Sequence, residues 1–183
     1  MASTEDQLEE HVQKYLNLLI GPLYKSYEAQ KSAVAELQKI GANHLFPLLI
    51  PKLNSPFLLV RMQASRAILS VDTEKGIELI LPFINDSDPE FRYDICGLMH
   101  DFGNSRVITA LIDLMQSDTD PQIRGTAAFA LGGIGDSQAI PALTKTMKSD
   151  HESDMHGHSP SSCAKLAIDE IHEKIMSDHQ KIA

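Results

Sequence analysis

Histidine, carboxylate and thiol side chains crowd one short stretch of the chain, Asp150-His-Glu-Ser-Asp-Met-His-Gly-His-Ser-Pro160, with Cys163 just beyond it. Imidazole and carboxylate groups suit Zn, Ni or Fe, which makes His151, Asp154, His156 and His158 candidate metal ligands, with Glu152 beside them. Their spacing matches no closed zinc motif, and the competing reading is a solvated polar loop with no metal. Other reactive groups are sparse. Cys96 sits among Ile95, Gly97 and Leu98, Cys163 opens the last helical pattern, and no CxxC occurs. Two separate cysteines fit a reducing compartment, and nothing beside either would activate a thiolate. Gly132-Gly133-x-Gly135 closes a helix rather than joining a strand to a helix N-terminus, so it is not a phosphate loop. His100 and Asp101 are adjacent and are expected to point in different directions on a helix, giving no acid–base pair.

The elements that position these residues follow from a period. Arg61, Arg92 and Arg124 recur at a spacing in the low thirties, and Asp88-Pro89-Glu90-Phe91-Arg92 returns as Asp120-Pro121-Gln122-Ile123-Arg124. Such a period marks stacked helical hairpins. Asp120 suits an N-cap and Pro121 the first helical position. Ile123, Ala127, Leu131 and Ile134 then form one apolar stripe, and Gly135 stands where a left-handed cap would end the helix. After Asp136 and Ser137, a second stripe runs through Ile140, Leu143 and Met147. Carrying the register through the chain gives about five hairpins, at 4–40, 42–71, 73–102, 104–134 and 136–176, with a frayed tail over 177–183. The expected architecture is all-α, one domain over 1–183, a right-handed α-α superhelix. In the first hairpin Gln30 stands in the arginine position, and in the last Ser161 does.

The pattern Asp-Pro-x-apolar-Arg, followed by small residues and apolar-x-x-apolar-Gly, resembles a HEAT repeat. More narrowly it is similar to the short HEAT-like units of phycobilisome lyase subunits, over most of residues 42–176. The resemblance implies a solenoid whose second helices line a concave face. It also implies that Arg92 and Arg124 bond the turns marked by Asp86, Asp118 and Asp150, a task that suits a planar five-donor fork. It raises a bilin as a candidate ligand, with the chain as a lyase-like or chaperone-like subunit for tetrapyrrole-bearing proteins. Deoxyhypusine hydroxylase is also a HEAT-like solenoid and holds two irons on repeated His-Glu pairs. Here only His151-Glu152 and His172-Glu173 occur, at inequivalent positions, so no symmetrical cage can form.

Composition narrows the partners. The chain has 25 acidic and 16 basic residues and a net charge of −9, which would repel duplex DNA, so no nucleic-acid partner is expected. No apolar run is long enough for a membrane span, the acidic N-terminus lacks a secretory signal, and a cytoplasmic location is expected. A protein partner remains, held on the exposed face of the second helices by Met62, Arg66, Tyr93, Gly97, His100 and Phe129. Large apolar and aromatic groups on such a face are interface anchors. Gly97, Gly125, Gly132 and Gly133 are costly inside helices at about 1 kcal/mol each relative to Ala. Two readings stay open: these glycines admit a close partner, or they allow tight internal stacking with Phe129 in the core. Self-association through the last hairpin, by Ala164, Ala167 and Ile168, is a third expectation. The leading function is a non-catalytic protein-binding scaffold.

Overall fold

The computed structural model describes residues 4–19 and 27–182. Among the described residues all regular structure is helical, in ten α-helices with short 3-10 turns between them. The all-α class expected from the period is therefore observed. None of the described helices is long and apolar enough to cross a membrane. The chain divides into two compact units, Met1–Ile80 and Leu81–Ala183. The boundary falls inside the hairpin expected at 73–102, where a helix gives way to the 3-10 turn Leu81–Asn85.

The first unit holds α1 (Thr4–Leu19), α2 (Tyr27–Ile40), α3 (Ala42–Leu49), α4 (Leu58–Val71) and α5 (Thr73–Ile80). Residues 20–26, between α1 and α2, lie outside the described residues. Val12 and Leu16 of α1 and Ala33 and Leu37 of α2 are buried, because each pair recurs at four-residue spacing and so shares one helix face. Gly41, at φ 82°, turns the chain into α3. Met62 and Arg66, expected as partner contacts, both lie half-buried on α4.

The second unit holds α6 (Pro89–Phe102), α7 (Ile108–Ser117), α8 (Pro121–Ile134), α9 (Ile140–Ser149) and α10 (Pro160–Ile182). Local chemistry sets the starts of α6 and α8. The Asp88 carboxylate accepts the Glu90 N–H and the Asp120 carboxylate accepts the Gln122 N–H, with Pro89 and Pro121 as first helical residues. Gly135 ends α8 in the left-handed region at φ 78°, ψ 14°. Helix α8 packs on α6, α7 and α10. Its Ile123, Ala127, Ala128, Ala130 and Leu131 are buried, and this near-complete enclosure explains why small side chains dominate it. The expected tail over 177–183 is corrected: α10 continues past residue 176 to Ile182, with Ala183 outside the described residues.

Arginines tie successive turns together. Arg92 donates from Nε and Nη2 to the two Asp118 oxygens at 2.8 and 3.1 Å, and from Nη1 to the Asp86 carbonyl at 2.8 Å. Arg124 repeats this on Asp150 at 2.6 and 3.1 Å and on the Asp118 carbonyl at 2.9 Å, and also bonds Glu152 at 2.7 Å. Desolvation pushes the Asp118 carboxyl up, but the Arg92 hydrogen bond, the Asp120 N–H and the charges of Arg92 and Arg124 together outweigh it and hold the group below the usual carboxylate range. Ser161, standing in the arginine position, donates its hydroxyl to the Met147 carbonyl at 2.6 Å. Arg92 and Arg124 are thus structural, and their guanidinium groups are committed.

Candidate functional site

Large apolar side chains of α6, α8 and α10 face solvent around one place: Tyr93 and Phe129 are 46% exposed and Leu166 is 63% exposed. The three line a pocket of about 490 Å³, whose lining also includes Pro121, Gly125 and Cys163 and, from the loop, Asp154, His156 and His158. Two features that look separate in sequence, the face of the second helices and the histidine-rich interruption, therefore meet at one place within the second unit.

The interruption is a built loop. Arg124 anchors its start through Asp150 and Glu152. The Asp154 N–H donates to the His158 carbonyl at 2.8 Å, and Asp154 Oδ1 accepts the N–H groups of His156 at 2.8 Å and His158 at 2.9 Å. Gly157 closes this turn at φ 80°, a conformation that favours glycine. The rings of His156 and His158, with centroids 6.4 Å apart, are left at the pocket rim. Desolvation pushes the Asp154 carboxyl up, yet the N–H groups of His158 and His156 more than offset this and hold it below its ordinary value. Ser159 then starts α10 in a reciprocal cap: its Oγ accepts the Ser162 N–H and Ser162 Oγ accepts the Ser159 N–H, both at 3.2 Å.

The candidate metal ligands do not converge. Among the described residues no three His, Cys, Asp or Glu groups are placed to hold one ion. Asp154 spends an oxygen on two backbone N–H groups, and His151 is exposed and does not line the pocket. Neither described thiol is activated: burial pushes Cys163 up and pushes Cys96 up to about 12.

Phe129 is exposed rather than core, and the His100 ring stacks on it with centroids 4.2 Å apart and planes 2° from parallel. His100 and Asp101 were expected to diverge, but His100 Nδ1 lies 3.0 Å from Asp101 Oδ1. Their Cβ atoms leave the helix in different directions; rotation about the side-chain bonds brings the polar ends together. Of Gly97, Gly125, Gly132 and Gly133, three serve internal packing. A Cβ on Gly133 would strike the His100 ring, one on Gly132 would sit 2.8 Å from Ala167 Cα, and one on Gly125 would sit 3.2 Å from Cys163 Sγ. At Gly97 a Cβ would meet nothing within 4 Å. The open end expected at Ala164 and Ala167 is corrected: both are buried, because α10 packs along α8 and α9. Ile168 is half-buried.

Leu166 is the site residue that sequence reasoning missed. With Ser161 in the arginine position, Leu166 takes the repeat position of Arg66, Gly97 and Phe129. The signal was present but displaced by the loop insertion.

The family model for HEAT repeats matches residues 77–158. Nineteen chains of solved structures match. One is the crystal structure of an engineered protein, 22% identical, covering 88% of this chain and 79% of that chain with a TM-score of 0.50. At that identity the likeness shows the fold alone. No curated protein matches.

Proposed function

We propose that this chain, with HEAT repeats over residues 77–158, is a non-catalytic protein-binding module that grips a segment of a partner protein in the pocketed groove of the second unit. One observation carries the reading: Tyr93, Phe129 and Leu166 stand exposed on three helices around a single pocket. Grouped exposure of this kind marks an interaction site, whereas single exposed apolar residues do not. Preorganisation adds to it. His100 backs Phe129 and Gly133 leaves room for His100, so the anchor ring is held before any partner arrives. Met62 and Arg66 hold the equivalent repeat positions in the first unit and are proposed as further contacts.

The test is capture of a partner by the immobilised chain, followed by a binding titration of that partner against wild type and the Tyr93→Ala, Phe129→Ala double variant. Hot-spot anchors contribute about 2 kcal/mol or more each, so losing both, about 4 kcal/mol, should lower affinity by about a thousand-fold with helicity unchanged. Equal affinity in the well-folded double variant removes these anchors from the account. The narrower lyase-like reading has its own readout: a bilin and its candidate apoprotein should change absorbance on mixing with the chain, and an unchanged spectrum counts against it.

A further inference from the structure

Resting on the reading of the groove as a docking site, we infer that the segment it receives is basic, with Lys or Arg side chains among its apolar anchors. Charge is distributed unevenly along the chain. Residues 81–183 contain sixteen Asp and Glu against eight Lys and Arg, so nearly all of the net charge of −9 belongs to the second unit. Three of those eight cations are engaged internally. Arg92 and Arg124 bond the turn carboxylates, and Lys174 donates to the carbonyls of Gly132 at 3.1 Å and Gly133 at 2.6 Å. No Lys or Arg lines the pocket.

Carboxylates flank the apolar patch at helical spacing. Glu90 precedes Tyr93 by one turn on α6 and Asp169 follows Leu166 by one turn on α10, and both are exposed. The N-termini of α8 and α10 open toward the same pocket and favour anions, contributing roughly half a positive charge each. That sum is outweighed by the full carboxylates of Asp120, which caps α8, and Asp154, which lines the pocket. The aromatic faces fit the same occupant. Lys and Arg lay their aliphatic stems along apolar surface and set the charge over a ring, so Tyr93 and Phe129 take the stem while the carboxylates take the head.

The test uses two fluorescein-labelled peptides with identical leucine and tyrosine positions, one carrying Lys and Arg and the other Glu at every remaining site. Both are titrated against the full chain by fluorescence anisotropy. The basic peptide should bind at least about ten-fold tighter, a contrast that shrinks as salt shortens the screening length. Glu90→Lys, Asp169→Lys should reduce that contrast, and Phe129→Ala should weaken the basic peptide. Equal or tighter binding of the acidic peptide, lost in Phe129→Ala, overturns the charge assignment and leaves the groove as a docking site. Binding of neither peptide, or binding indifferent to Phe129→Ala, overturns both.

Discussion

Replacing Asp118 by Asn tests the arginine staple where it is most buried. The Asp118 side chain is 4% exposed and that of Arg92 is 13% exposed. Asn preserves volume and can still accept the Asp120 N–H that Asp118 Oδ1 accepts at 2.9 Å. Its amide N–H₂ then faces the guanidinium fork, donor against donor. Hydrogen bonds to charged groups contribute about 1.5–3 kcal/mol each, and removing one partner of a buried pair costs about 3–5 kcal/mol. Arg92 retains the Asp86 carbonyl and some solvent. The loss should therefore sit near the lower end, at about 3 kcal/mol. Urea unfolding of the full chain, followed by far-UV circular dichroism, measures it as a lower midpoint with an unchanged slope. The pH dependence has a definite sign. Because the folded carboxyl is held below its ordinary value, its stabilisation is present above the unfolded pKa of about 3.9 and is lost as pH falls through the folded value. The gap between wild type and Asp118→Asn should be full at neutral pH and close in acid. A loss below about 1 kcal/mol, the level of an exposed surface pair, refutes the account, as does a gap unchanged by acid.

Two further predictions separate the glycines and the thiols. Gly132→Ala should destabilise by about 1–3 kcal/mol because its Cβ would press on the Ala167 backbone, while Gly97→Ala should stabilise by up to about 1 kcal/mol because the methyl meets nothing. Thermal melts of the two variants check the opposite signs. With a maleimide near neutral pH, Cys163 should label slowly and faster as pH rises, and Cys96 should label only on unfolding, given a thiol pushed up to about 12. Peptide mapping of the labelled chain distinguishes them, and early labelling of Cys96 would contradict its burial.

What the sequence made legible was whatever recurs. Asp88-Pro89 and Asp120-Pro121 announced two helix starts, the stripe at Ile123, Ala127 and Leu131 announced the buried face, and Asp118 and Asp150 stood ready as arginine partners. What stayed hidden depends on angles or on single events. Periodicity places Gly97 and Gly133 on a helix without fixing which one meets solvent and which meets the His100 ring. Nothing periodic encodes the turn that Asp154 closes over His156 and His158, which relies on side-chain to backbone bonds and on Gly157 at φ 80°. That turn also shifted the register, and so concealed Leu166.

The acidic surplus of the second unit has a cause in the repeat itself. In the turn before α8, Asp120 caps the coming helix and Asp118 holds Arg92, two acids against the one arginine, Arg124, that follows. Asp86 and Asp88 accompany Arg92, and Asp118 and Asp120 accompany Arg124. At the third turn the imbalance grows, since Asp150, Glu152 and Asp154 are present and Ser161 replaces the arginine. The corresponding turn of the first unit, Ser55 to Arg61, contains no acid and meets its arginine with the Ser55 carbonyl at 3.2 Å. Capping and stapling, both structural tasks, thus concentrate negative charge at the N-termini of α8 and α10. The pocket opens there, so the grammar that builds the stack also sets the charge its occupant must complement.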